Sequence, residues 1–208
     1  MVGDRRSGKL AVILHADIAG STALVQQDER LAHERIQEVF HRFGDIIAQY
    51  HGRVRELRGD ALLAEFERAS DAVTAALALQ TDQSKYNAQL DDNIRPSVRV
   101  GIAMGEVIIA DNTVTGAGVV LAQRVEQLAE PGGVVIQGAA YETIPGRFPF
   151  AYTDLGERLR QTRSSVLGKF KKRHRYPGTR TGRSSSPKYF SCIRVCCYCR
   201  SWYCPFLD

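Results

Sequence analysis

The order of elements legible in the sequence predicts an α+β domain. It would be a β-α-β-β-α-β unit with an antiparallel sheet and helices on one face, extended by one more helix and strand. Three observations carry this. Residues 10–16 (LAVILHA) are apolar on both faces, as in a strand covered on each side. Residues 28–50 carry Leu31 and then set Ile36, Val39, Phe40, Phe43, Ile46, Ile47 and Tyr50 at spacings of three and four, the apolar stripe of a long helix. Arg53–Arg58 (RVRELR) alternates charged and apolar residues, as in a strand with one wet face, and Ala61–Phe66 (ALLAEF) returns as its partner after the tight turn Gly59-Asp60.

The other elements follow in order. Gly52 ends the long helix. Ser70 is the expected N-cap of a second helix over residues 70–79 that reaches on toward Leu90. Residues 97–103 and 106–110 are strands around Gly105, residues 119–128 a helix stopped by Pro131-Gly132-Gly133, and Val134–Gln137 a short strand. The arrangement is ferredoxin-like, with no internal repeat.

A chain of 208 residues holds one domain with an appendage and can bury a substantial core. The formal net charge of +5 averages two unlike parts. Residues 159–208 hold 12 of the 28 Lys+Arg, one of the 23 Asp+Glu and all five cysteines. Residues 1–158 are therefore acidic and free of cysteine, as suits a reducing compartment. No run of 18 apolar residues occurs, and the N-terminus (MVGDRRSGKL) lacks a secretory apolar stretch; the expectation is a cytoplasmic protein with no membrane partner. The expected division is an arm over 1–9, a domain over 10–158 and a basic, cysteine-rich tail over 159–208.

The chemistry centres on two aspartates. Asp17 ends the first strand and Asp60 sits in the hairpin turn, and the predicted topology makes those strands neighbours. Paired carboxylates repel unless a cation lies between them, and hard oxygen ligands suit Mg²⁺ or Mn²⁺. The small residues after Asp17, namely Ile18, Ala19, Gly20, Ser21 and Thr22, can offer backbone N–H groups and hydroxyls to phosphates. Taken singly, Asp17 could cap a turn and Asp60 could be the usual aspartate beside a hairpin glycine.

The blocks ADIAGST, RGDALLAEF, VRVGIAMGEV and AQRVEQLAEPGG, in this order over about residues 8–158, resemble the catalytic domain of class III nucleotidyl cyclases, bacterial type. The resemblance implies conversion of a nucleoside triphosphate, ATP favoured, to the 3′,5′-cyclic monophosphate and pyrophosphate. It implies two metal ions per active site, Mg²⁺ or Mn²⁺, held by Asp17, Asp60 and the carbonyl of Ile18. It also implies a homodimer with composite sites, in which Arg124 of the partner steadies charge on the α-phosphate.

Three positions depart from the family pattern. Glu56 stands where adenylate cyclases carry an adenine-reading lysine; guanylate cyclases often carry glutamate there, whose carboxylate accepts from guanine N–H groups. Thr113 falls at the second base-reading place and is compatible with either base. Val120 replaces the ribose-positioning asparagine, which removes an orienting hydrogen bond. The usual lysine-containing strand after Asp154-Leu155-Gly156-Glu157 is missing, and Lys169 lies too far along to be assigned its role.

These departures leave two alternatives open: a guanylate cyclase, or a catalytically silent cyclase-like domain that senses nucleotide or dimerises. In the tail, residues 169–175 (KFKKRHR) form a solvated basic run that would touch nucleic acid only non-specifically. The spacing of Cys192, Cys196, Cys197, Cys199 and Cys204 matches no zinc pattern. The abrupt change of composition suggests a tail that is disordered or read in a shifted frame. His15 is expected as a hydrogen-bonded core residue, and His33, His41 and His51 as exposed.

Overall fold

The computed structural model describes residues 8–110, 113–146, 150–159 and 189–196. Strand β1 (Gly8–Ile18) lies at the middle of the sheet and leads through α1 (Ser21–Gln27) into α2 (Glu29–Gln49). The hairpin β2 (Arg53–Arg58) and β3 (Ala61–Phe66) follows, then α3 (Ala69–Ala88) and β4 (Val98–Ala110). The chain continues through β5 (Thr113–Thr115), α4 (Ala117–Glu126), β6 (Val134–Gln137), α5 (Gly138–Tyr141), β7 (Ala151–Leu159) and β8 (Tyr189–Cys196).

The sheet order is β2-β3-β1-β4-β6-β8-β7, with β5 paired to β4, so its first four strands are the expected ferredoxin-like core. The β1–β4 ladder is the longest, antiparallel from Gly8↔Ile108 to Ile18↔Val98. β4 and β6 pair in parallel, so the sheet is mixed beyond the core.

Alternation along β1 assigns its residues to two faces. Val12, Leu14, Ala16 and Ile18 join the larger core under α2 and α3. Ala11 and Ile13 join a second core with Leu63, Ala103, Ala122 and Val125. Helices therefore cover both faces, which corrects the expectation of one. The reason lies in the VRVGIAMGEV block. A Cβ at Gly101 would lie 2.2 Å from the Glu126 nitrogen, and one at Gly105 would lie 2.6 Å from the Gly118 Cα. Without side chains there, the α4 backbone rests directly on β4.

Several boundaries differ from expectation, and four of the differences have a local cause. α2 begins after Asp28, whose side chain accepts from the Leu31 N–H at 2.9 Å. α3 is capped at Arg68 rather than Ser70, whose hydroxyl instead donates to Asp71. The two strands expected around Gly105 are one strand, because β1 pairs along the whole length of β4. Short α1, unforeseen, starts where Gly20 takes a left-handed φ of 68° that a glycine adopts without strain.

β1 begins at Gly8, within the expected arm, and β8 comes from the expected tail. It inserts antiparallel between β6 and β7, with Val134↔Val195 and Asp154↔Ile193. The first seven residues, the basic run at 169–175, and Cys197, Cys199 and Cys204 lie outside the described residues. Among the described residues no helix is long and apolar enough to cross a membrane.

Candidate active site

Asp17 is the penultimate residue of β1, paired with Ala61 of β3 and Arg99 of β4. Asp60 precedes Ala61 in the hairpin turn, where Gly59 takes a φ of 58°. The Ile18 N–H donates to the Asp60 carbonyl at 3.0 Å, which ties the two aspartate-bearing segments side by side. The structure thus brings Asp17, Ile18 and Asp60 to one edge of the sheet from opposite ends of a 44-residue stretch of sequence.

The segment after Asp17 is more committed than its sequence suggested. The Ile18 and Ala19 N–H groups are already used, the latter donating to the Ser97 carbonyl at 2.8 Å. This corrects the expectation that residues 18–22 all present donors; Gly20, Ser21 and Thr22, at the start of α1, are the ones placed to do so. The Ser21 hydroxyl donates to Asp60 Oδ2 at 2.5 Å. Ser21, Thr22, Gly59 and Asp60 line a cleft of about 550 Å³ whose far wall is His33, Ile36 and Gln37 of α2. His33 is exposed as expected, yet it faces this cleft.

Asp17 is half-buried and holds the guanidinium of Arg99 through Oδ2. Arg99 Nε also lies 2.9 Å from Glu126 Oε1, but off line, so neither atom gains a hydrogen bond. Glu126 is 2% exposed on α4. Burial pushes its carboxyl up to about 7 against the pull of Arg99, with the charge of Asp17 adding to the rise. His15 Nδ1 lies 3.8 Å from Glu126 Oε2 and has no hydrogen-bond partner, which corrects the expectation of a bonded core histidine. Burial holds His15 below its ordinary value, and Arg99 adds to that shift while Asp17 opposes it.

Sequence reasoning passed over Arg99 and Glu126. Their signal was a charged residue inside each apolar pattern: Arg99 in VRVGIA on the face shared with Asp17, and Glu126 at the fourth place after buried Ala122.

The remaining expected site residues lie elsewhere in the chain. Arg124 is exposed on α4, and no described contact joins it to Asp17 or Asp60. Val120 is 47% exposed on the same helix. Thr113 opens β5 opposite Ala110. Glu56, on β2, bonds Arg58 at 2.9 Å through Oε2, while its buried Oε1 has no hydrogen-bond partner.

A divalent ion fits the donor set at the sheet edge. Two carboxylates and a backbone carbonyl are hard oxygen donors. Among the described residues no group of three His, Cys, Asp or Glu side chains gathers, so further ligands would come from substrate and water, as Mg²⁺ commonly arranges.

Comparison with known proteins defines the class. Residues 5–168 match the family described as the adenylate and guanylate cyclase catalytic domain, and the chain belongs to it. That match runs ten residues past the boundary expected at 158. Putative adenylate cyclase 3 of Rhizobium meliloti is 36% identical over 152 residues, 71% of this chain and 25% of that protein. An adenylate cyclase of Streptomyces coelicolor is 30% identical over 133 residues, 62% of this chain and 32% of its own length. The chain thus spans a quarter to a third of these relatives.

Among solved structures, an adenylate/guanylate cyclase/hydrolase from Silicibacter pomeroyi shares the fold with TM-score 0.68 and 24% identity, over 91% of this chain and 97% of that one. The adenylyl cyclase CyaB from P. aeruginosa does so with TM-score 0.69 and 18% identity, over 93% and 97%.

Proposed function

We propose that this domain cyclises a nucleoside triphosphate, ATP by preference, to the 3′,5′-cyclic monophosphate and pyrophosphate. The ribose 3′-oxygen attacks the α-phosphorus in line, its proton passes to solvent, and the bond from the α-phosphorus to the bridging oxygen breaks to release pyrophosphate. The single observation that carries this is the meeting of Asp17 and Asp60 at one sheet edge beside the opening of α1.

Asp17, Asp60 and the Ile18 carbonyl would hold two divalent ions. When bound, these supply charge neutralisation and a lowered pKa for the attacking hydroxyl. Gly20, Ser21 and Thr22 orient the phosphates through backbone N–H groups and hydroxyls. Ser21 fixes the carboxylate of Asp60 through its 2.5 Å bond.

Arg124 serves a partner's site rather than its own. Its exposure on α4 supports this, as do the exposed apolar residues Val54, Leu57 and Val120 on β2 and α4, which suit an interface between two copies. The composite homodimer is therefore part of the proposal.

Glu56 favours a second reading, GTP as substrate. Its Oε1 has no hydrogen-bond partner within the chain, and a carboxylate can accept from the two adjacent N–H donors of guanine, where adenine offers an acceptor.

The test incubates the full chain with Mn²⁺ and each triphosphate, beside Asp17→Ala. Cyclic nucleotide and pyrophosphate in equal amounts from wild type alone support the proposal, and the better substrate settles the base. Nucleotide-dependent thermal stabilisation without any turnover would instead identify a sensing domain.

A further inference from the structure

One guanidinium serves two carboxylates at this site. Arg99 bonds Asp17 through Nη2 and leans its Nε toward Glu126. Both anions reach it because Asp17 and Arg99 lie on the face that α4 covers, and the glycine at 101 lets that helix sit close. The third polar neighbour, His15, lies with Nδ1 3.8 Å from Glu126 Oε2 and makes no hydrogen bond there. Among the described residues Glu126 has no other cation within reach than Arg99 and that histidine.

A guanidinium closed fully onto one carboxylate occupies the lone pairs that a metal ion needs, and the attraction between opposite charges is strong where water is excluded. A second carboxylate beside the same cation, reached through Nε while Asp17 is reached through Nη2, competes for it and weakens the first pairing. We infer that Glu126 is a positioning residue that draws Arg99 toward α4 and thereby keeps Asp17 open to a divalent ion. The inference rests on the assignment of Asp17 as a metal ligand.

Glu126 and Arg124 are two residues apart on α4 and so lie on roughly opposite sides of the helix, about 200° around its axis. The same helix thus regulates the chain's own Asp17 through its buried face and presents Arg124 from its exposed one. A displacement of α4 would alter metal access as well as the place of Arg124.

The experiment is a Mn²⁺ titration followed by electron paramagnetic resonance, on the full chain at pH 8 without nucleotide. Wild type is compared with Asp17→Asn, Glu126→Gln, Arg99→Gln and the Arg99→Gln/Glu126→Gln pair. Glu126→Gln should weaken Mn²⁺ binding by about tenfold, an ordinary coupling within one ion-pair network. Arg99→Gln should bind Mn²⁺ more tightly than wild type. The double variant should match Arg99→Gln, because Glu126 acts through Arg99 alone; a loss that persists without Arg99 marks a general structural effect and overturns the inference.

Binding that depends on Asp17 but is unmoved by Glu126→Gln overturns the inference and leaves the metal site standing. Wild-type binding that is absent, or indifferent to Asp17→Asn, overturns both. If Glu126→Gln does not fold, Arg99→Gln decides: affinity no higher than wild type refutes the role.

Discussion

Replacing Gly101 by alanine tests how α4 is seated. The added Cβ would meet the Glu126 nitrogen at 2.2 Å, the Ala122 carbonyl oxygen at 2.4 Å and the Glu126 Cα at 2.6 Å. All three are backbone atoms, so no side chain can rotate away. Unstrained contacts between such atoms lie near 3.5 Å, and restoring them requires α4 to lift by about 1 Å. The strand cannot yield instead, because β4 is hydrogen-bonded to β1 on one side and β6 on the other.

Overpacking of this kind costs about 1–3 kcal/mol, and the lost contacts of Ala122 and Val125 place this case at the upper end. The assay is urea unfolding, read as a lower midpoint at unchanged slope. Gly20→Ala is the control: nothing lies within 4 Å of a Cβ there, and the φ of 68° alone opposes it, at about 1 kcal/mol. A Gly101→Ala protein within about 0.5 kcal/mol of wild type, or less perturbed than Gly20→Ala, refutes the seating of α4 on β4.

Other perturbations read different parts of the site. Glu126 takes its proton more readily folded than unfolded, since its carboxyl rises from 4.5 to about 7; the folded state therefore loses stability as pH climbs through that interval, by at most about 3 kcal/mol. Glu126→Gln should flatten the profile of Tm against pH and exceed wild type at pH 8, and parallel profiles would contradict the assignment. Ser21→Ala removes the 2.5 Å bond to Asp60, which should cost about 1 kcal/mol in urea unfolding and lower kcat/KM. Removing residues 160–208 strips β8 from β6 and leaves the buried residues Val134, Val135 and Ile136 on an unpaired edge. The shortened chain should associate in size-exclusion chromatography as its concentration rises; a well-behaved species of unchanged size would refute the role of β8.

The core strands and long helix were legible because their patterns are local. The three-four stripe of α2 reports burial directly, whereas the alternation read in RVRELR does not: Val54 and Leu57 are exposed and Arg55 and Glu56 half-buried, because the register shifts between Val54 and Glu56. The site aspartates were legible for a different reason, since one ends a strand and the other fills a turn, and the topology alone makes them meet. α4 on the second face was not legible, because what seats it is the absence of side chains at Gly101, Gly105 and Gly118, and absence has no hydrophobic period. Arg99 and Glu126 escaped for a related reason: their meaning comes from a contact between a strand and a helix 27 positions apart. β8 (YFSCIRVC) does carry aromatic and β-branched residues that favour a strand, but the basic and serine-rich stretch before it obscured that signal, and its place between β6 and β7 is set by tertiary pairing.

The most direct measurement mixes two inactive variants, Asp17→Asn and Arg124→Ala, each first confirmed to be folded and dimeric. If each site takes its aspartates from one chain and its arginine from the other, heterodimers carry one intact site of two. Random mixing of such symmetric dimers then restores about a quarter of wild-type cyclase activity. No activity on mixing, or variants as active as wild type before mixing, would contradict the account.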